Sequence, residues 1–495
     1  MEFLLLVCVF GLAVAAPADG PNAAYDTIVI GMGSAGTTAA TELAQSGRKV
    51  LALEAQDRIG GRVHTLPFGD GLVELGAEWI HGNVSSRTYA LATKHNIDTK
   101  LQPLMLDPYR SDGTKPDVAM VRELVDLDFT EEQPNPPEAV GTFVTKKFME
   151  YITKNKPDLL KDQDFITEFL EFSNLLTNNL ESSNDWNDVI TGGSYEHLGG
   201  PQAISWHRHG YKAFFDIMLN KYNNGPGLPN LDIKLNTEVT RVVTPQHPNE
   251  TVTVECKDGS SYTAKHAIVT VSLGVLKAKH TTLFSLPLPL EKQTAIEKVS
   301  MGVVGKVILS FEKAWWPKDV TLFAFIWKGD DKKNVPAEDY WTTRILGAHP
   351  PMGSSNTLTL WTSGEVAKQV EKLPEEIVKS KCVALLQRFM GDALKITVPV
   401  PTGFLRSTWY LNPYTRGSYS YDNLEAPRYP LARKWLSYPL LDSAGEPRVL
   451  FAGEATNERH FSTVHGASET GRREAERLLL MIRGDGNFNV KDFKL

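Results

Sequence analysis

Three glycines spaced as Gly31-Met32-Gly33-Ser34-Ala35-Gly36, followed at Glu54 by a carboxylate, have the residue types and spacing to hold a dinucleotide. Gly31 permits a sharp turn, Gly33 lets backbone approach a pyrophosphate, and Gly36 lets a helix pack closely on a strand. The N-terminus of the helix that follows offers free N–H groups to phosphate. An acid about twenty residues further on can accept both hydroxyls of a ribose, and Glu54-Ala55 stands there. Such a glycine motif has meaning only between a strand and a helix. The sequence supplies that frame: an apolar strand at 25–30, a helix at 37–46 broken by Gly47, and a second strand at 49–53 that ends on Glu54.

Two more glycine-marked segments follow the same chemistry. Arg58-Ile59-Gly60-Gly61-Arg62 comes directly after the acid-bearing strand, and Leu75-Gly76-Ala77-Glu78-Trp79 a little later. Near the far end, 449–456 (Val-Leu-Phe-Ala-Gly-Glu-Ala-Thr, with Gly453 and Glu454) reads as a buried strand and a turn. Ser462-Thr463-Val464-His465-Gly466-Ala467 then opens a helix over 468–482. The glycines mark close backbone approach, and the helix start offers N–H groups to an electron-rich partner. Lys306 interrupts an otherwise apolar strand, where a lysine must either snorkel or find a use for its charge. His81, in Trp79-Ile80-His81-Gly82, is either a satisfied loop residue or a group that titrates near neutrality beside a ligand. Trp409 and Tyr419 are core aromatics or the wall of a site.

The elements that must position these residues belong to a large globular chain. Its 495 residues exceed what one core organises, so at least two lobes are expected. Hydrophobic content of 42% and charged content of 22% are ordinary for a folded protein. A net charge of −7 argues against nucleic acid as a partner and favours a cationic small molecule. An apolar run at 3–14 followed by Ala15-Ala16-Pro17 reads as a signal peptide over 1–16, although it lacks a basic start. No later stretch approaches the roughly 18 apolar residues of a membrane span. Secretion is therefore expected. With Cys8 inside the signal, Cys256 and Cys382 remain, and two buried free thiols are preferred over a disulfide. Sequons stand at Asn83 and Asn249, the second in the better turn for a glycan. Helix-like runs fall at 140–154, 159–178 and 375–390. Strand-like runs fall at 231–243, 251–256, 266–271, 305–311 and 358–362.

Taken together these motifs resemble the flavin-dependent amine oxidases, and the phrase Trp79-Ile80-His81-Gly82 and the Ser462-Thr463-Val464-His465-Gly466 phrase are most similar to animal polyamine oxidases. The resemblance implies FAD as cofactor and an α/β fold. A Rossmann-like FAD-binding lobe would be discontinuous (24–86, 207–300 and 425–483), and a substrate lobe of mixed sheet and helices would take 87–206 and 301–424. It implies that Gly31, Gly33, Ser34, Ala35, Gly36, Glu54, Ala55, Gly61 and Arg62 hold the dinucleotide end. Gly76, Ala77, Glu78, Trp79, Trp409, Gly453, Glu454, Thr463 and Val464 would line the flavin, and Val239, in Asn236-Thr237-Glu238-Val239, would meet the adenine through its backbone. Lys306 would hold a water against flavin N5, His81 would sit beside the amine, and Tyr419, Thr463 and Trp79 would touch substrate. Thr463 stands where related enzymes place an aromatic, which puts a paired aromatic cage in doubt; Glu78 departs from the small or neutral residue expected there. No metal is called for. The implied reaction is oxidation of spermine, spermidine or their N-acetyl forms by hydride transfer to flavin N5, with O₂ as acceptor, giving an aldehyde, a shorter amine and H₂O₂. A secreted L-amino-acid oxidase and a non-catalytic flavoprotein binding factor are the alternatives.

Overall fold

The computed structural model describes residues 24–127 and 134–483; the segment read as a signal peptide lies outside the described residues. Tyr25–Ile30 becomes fully buried from Thr27 onward, as a strand covered on both faces must. It pairs in parallel with Val50–Leu53 on one side and with Ser261–Val269 on the other. Leu231–Lys234 extends the sheet beyond Val50–Leu53, and Pro447–Phe451 pairs in parallel with Ser261–Val269. Three antiparallel strands, Val239–Val243, Val252–Cys256 and Leu440–Leu441, complete eight.

Alternation along these strands builds two layers. Val29, Val50, Ala52, Ile268 and Leu450 pack under the helices Ser34–Gln45 and Val464–Arg483. Ile28, Ile30, Val269, Val449 and Phe451 point the other way, onto Leu273, Leu276, Ala295, Ile296 and Leu436.

The second sheet has six strands in the order Gly403–Arg406, Val304–Ser310, Thr357–Ser363, Gly347–His349, Leu322–Ile326 and Leu106–Arg110. All its pairings are antiparallel except the last. Phe323 and Phe325 face a cluster with Trp327, Trp341 and Phe389. Leu322, Ala324 and Ile326 face Phe148, Phe165, Phe169 and Phe172 on the helices Val140–Asn155 and Gln163–Glu181. A short pairing of Ser300–Met301 with Ser420–Tyr421 lies outside both sheets.

Several boundaries differ from the sequence expectation for local reasons. The first helix begins at Ser34, not at 37, because Gly33 itself is the N-cap and Gly36 lies inside the helix. The expected strand at 231–243 is two strands, divided where Asn236 adopts a positive φ of 52°. The last helix starts at Val464, four residues before the expected 468. Cys256 and Cys382 are both buried free thiols. Among the described residues no helix is long and apolar enough to cross a membrane.

Candidate active site

The two ends of the chain meet where two helices begin. Ser34 Oγ donates to Val464 O at 2.9 Å, and Thr38 Oγ1 and Ser468 Oγ share a hydrogen bond at 2.8 Å. Gly471 lies so near the first helix that a Cβ there would stand 2.0 Å from Ala35 O. The first helix has glycine at its N-cap and no side-chain cap, and neither helix has an acid in its first turn. First-turn N–H groups have no intrahelical partner, so both helices bring positive ends to one region.

A bare backbone cradle adjoins these helix starts. Gly33 forms an isolated bridge with Gly60, and Gly61 takes a φ of +58°, where a Cβ would stand 3.2 Å from Gly33 Cα. Side chains at these positions would fill the space a pyrophosphate needs. Glu54 is buried; it accepts from Met32 N at 2.7 Å and Gln56 N at 2.9 Å, which leaves carboxylate lone pairs for two hydroxyl donors. Thr237 N donates to Glu54 O, which brings the turn leading into Val239 alongside, and Ala55 is half-buried between Glu54 and Gln56. Arg62 Nη1 donates to Ser418 O and to Glu454 Oε1, both at 2.8 Å. Burial alone would raise the Glu454 carboxyl. Arg62 and the Ser420 hydroxyl outweigh burial and lower it. Gly453, next to it, has a φ of +141°. The residues present therefore fit FAD: a glycine cradle, two helix starts without a first-turn acid, a strand-end carboxylate and an anchored arginine.

Lys306 lies deeper. Its strand, Val304–Ser310, is buried throughout, and Lys306 shares a face with Ile308, which packs on Val73, Leu75 and Trp409. That face looks onto residues 74–79. Lys306 Nζ donates to Glu74 O (2.9 Å), Gly76 O (3.0 Å) and Glu78 Oε2 (2.8 Å), and lies 4.4 Å from the centre of the Trp361 ring. From sequence this ammonium is expected to snorkel or, by the resemblance, to hold a water. The structure buries it and gives each of its three protons a protein acceptor. Gly76 is required here, since a Cβ would meet Arg62 O at 1.9 Å. Ala77 N donates to Arg62 O, and Trp409 Nε1 to Leu75 O.

Glu78 is not an isolated structural oddity. Its other oxygen lies 3.0 Å from His349 Nε2. Burial pushes this carboxyl up, but Lys306 and His349 together overcome it and hold it at about 2. Trp79 stacks on Trp361 with ring centres 5.9 Å apart and meets His349 edge-on at 5.6 Å, while its Nε1 donates to Gln102 Oε1.

His81 lies at a different edge of the site. Its Nδ1 is 2.6 Å from Gln202 O and therefore donates, which leaves Nε2 as acceptor in the neutral ring. Burial lowers its pKa. Its ring meets His465 edge-on at 6.3 Å, and His465 in turn lies 5.3 Å from His460. Burial pushes His465 down to about 3, and its Nε2 is buried without a hydrogen-bond partner. Thr463 does not present a free hydroxyl: Oγ1 donates to His460 O and accepts from Gly466 N, so it caps the last helix. Tyr419 donates its hydroxyl to Asn179 O at 2.8 Å, which turns that end toward the C-terminus of Gln163–Glu181.

Sequence reasoning missed His349, Trp361 and His465 as site residues. Trp361 reaches Lys306 through strand register, since the two are paired across the sheet, and His349 arrives on the strand beyond. The signal that could have found His349 was Glu78 itself: an acid between apolar residues needs cationic or donor partners.

This arrangement defines a flavoprotein oxidoreductase of mixed α/β fold. The chain belongs to the flavin containing amine oxidoreductase family, which matches residues 34–479, and it is an FAD-dependent amine oxidoreductase. It is 29% identical over 510 residues to the bovine (Bos taurus) peroxisomal N(1)-acetyl-spermine/spermidine oxidase, covering 95% of this chain and 97% of that protein. The human (Homo sapiens) peroxisomal N(1)-acetyl-spermine/spermidine oxidase is 29% identical, with 91% and 94% covered. Polyamine oxidase 2 of Arabidopsis thaliana is 30% identical, with 91% and 87% covered.

Proposed function

We propose that the protein is a secreted polyamine oxidase acting on spermine, spermidine or their N-acetyl forms, with residues 24–86, 207–300 and 425–483 as the FAD lobe and 87–206 and 301–424 as the substrate lobe. The observation that carries the substrate class is the edge of the site at His81: a neutral imidazole with Nε2 left to accept, beside a buried His465 whose Nε2 has no hydrogen-bond partner. A ring nitrogen left to accept in a buried setting calls for a ligand that donates, which an amine does. A carboxylate ligand would need a free guanidinium, and Arg62 and Arg433 of this region are engaged by Glu454 and Asp422. The similarity to polyamine oxidases over nine-tenths of the chain supports the same reading.

In this scheme the chemistry FAD supplies when bound is acceptance of a hydride from the carbon beside the amine nitrogen and delivery of the electrons to O₂, giving H₂O₂. The protein's part is to bind and orient. His81 accepts an N–H group through Nε2, and neither it nor His465, both held neutral by burial, repels a polycation. Trp79 and Trp361 form a stacked apolar wall that restricts water. The ammonium of Lys306, fixed by three acceptors, supplies positive charge at the flavin without reorganising during the reaction. The substrate imine then hydrolyses to an aldehyde and a shorter amine.

A peroxide-release screen of spermine, spermidine, their N-acetyl forms and leucine tests this. Turnover of at least one polyamine, with products identified by mass spectrometry, is expected; peroxide from leucine and none from any polyamine overturns it. Secretion is tested separately by expressing the chain in a eukaryotic host: the protein is expected in the medium with its N-terminus cleaved near Pro17. Retention of an uncleaved chain inside the cell overturns that part.

A further inference from the structure

His349 sits at a junction that fixes its proton count. Nδ1 lies 2.7 Å from Thr321 O, and Nε2 lies 3.0 Å from Glu78 Oε1. A backbone carbonyl only accepts, and an ionised carboxylate only accepts. Both ring nitrogens therefore face acceptors, and the ring satisfies both only by carrying a proton on each. The same carboxylate takes a proton of Lys306 on its other oxygen at 2.8 Å. All three side chains are nearly inaccessible, with side-chain exposures of 3% for Lys306, 5% for Glu78 and 6% for His349.

We propose that Lys306, Glu78 and His349 form a buried triad of two cations bridged by one carboxylate, so that His349 restores the positive charge that Glu78 would otherwise cancel. A carboxylate beside Lys306 would by itself neutralise the ammonium and defeat its use as a fixed cation. With an imidazolium on the far side, the group keeps one net positive charge and three rigidly placed partners. Trp361 and Trp79 complete the enclosure, the first under the ammonium and the second edge-on to the imidazole. The remaining titratable group facing the triad is Glu74, whose backbone carbonyl holds Lys306; burial lifts its carboxyl to about 8, so it adds no second negative charge near neutrality. Glu78 and His349 are positioning residues, acting through Lys306.

The proton count is testable on the holoenzyme without turnover. In protein labelled with ¹⁵N-histidine, the His349 signals are identified by their loss in His349→Gln. Both ring nitrogens are expected at protonated shifts in buffer near neutrality, since each faces an acceptor. In Glu78→Gln, where the accepting carboxylate is gone, one of the two protons is expected to be lost in the same buffer. A single-proton tautomer of His349 in the wild type overturns the proposal. The second readout is the reduction potential of bound FAD. His349→Gln keeps a neutral donor toward Glu78 but removes one charge, so the potential should fall relative to wild type; an unchanged potential overturns the electrostatic half. That half rests on the proposed place of Lys306 beside the flavin. The proton count does not, and neither measurement depends on which amine is the substrate.

Discussion

Glu74 and Glu78 lie four residues apart, both are buried, and they titrate in opposite directions. Burial drives each toward the protonated form. At Glu74 it wins over the Tyr211 N–H and the Thr65 hydroxyl and lifts the carboxyl to about 8. At Glu78 the two cations win and hold it at about 2. The stability consequences have opposite signs. The ordinary glutamate value of 4.5 is that of the unfolded chain. Glu78 therefore contributes stability above that value, which is lost as the pH falls from there toward 2. Glu74 favours the folded state while protonated, and its contribution is lost as the pH rises from 4.5 through about 8. The melting temperature of the wild type should accordingly fall as the pH rises from about 4.5 to about 8, and that of Glu74→Gln, which cannot ionise, should fall less. The same pH dependence in both proteins would show that Glu74 titrates as an exposed acid. His81 gives a catalytic counterpart. From sequence, activity is expected to rise as His81 loses its proton near 6.5. The structure lowers that titration by burial, so the histidine limb should appear below 6.5, and the rise above neutrality belongs to the substrate amine. In a kcat/KM profile, His81→Asn should flatten only the acid limb. An acid limb that survives the substitution would remove His81 from the titrating set.

At the scale of elements, the site depends on how closely two helices approach. Alanine in place of a mid-helix glycine normally gains about 0.5–1 kcal/mol. At Gly471 the sign should reverse, because the new Cβ would sit 2.0 Å from Ala35 O and the helices Ser34–Gln45 and Val464–Arg483 would be forced apart. Overpacking of that kind costs about 1–3 kcal/mol. Gly471→Ala is therefore expected to lower the melting temperature and to release FAD more readily, and a variant as stable as wild type with full FAD content would refute the close-packing account. The same helices show what could be read in advance. The fingerprint at 31–36 was legible because its glycines act within one turn, and its acid follows at fixed spacing on the next strand. The enclosure of Lys306 was not. It is assembled from Val304–Ser310, Thr357–Ser363, Gly347–His349 and the segment 74–79, and the pairing of Lys306 with Trp361 depends on a register that no local pattern encodes. A lone histidine at the end of a three-residue strand carries no signal in sequence. The cap at Thr463 was hidden for a related reason: the resemblance places this residue against substrate, while its hydroxyl caps a helix that begins four residues earlier than its apolar pattern implies.

For the whole molecule, FAD is a tie between distant parts of the chain. The residues that fit it come from positions 31–36, 54, 62 and 453–464, and Lys306 joins the six-stranded sheet to residues 74–79 through the buried ion pair with Glu78. A ligand that binds only the folded state stabilises it by about 2.7 kcal/mol when present at a hundredfold excess over its dissociation constant. That stabilisation should be shared by both sheets, because opening either one removes part of the cradle or its support. Protein stripped of FAD is therefore expected to melt lower than the holoenzyme, and added FAD should raise the melting temperature with the logarithm of its concentration. Tryptophan fluorescence can report on the six-stranded sheet, since Trp315, Trp316, Trp327 and Trp341 gather in or against the cluster at its core. Flavin release reports on the other sheet. Coincident transitions by the two probes, both moved by FAD, are the expected result. A tryptophan transition unmoved by FAD while flavin release shifts would show that the sheets unfold independently, and that the Lys306–Glu78 pair does not couple them.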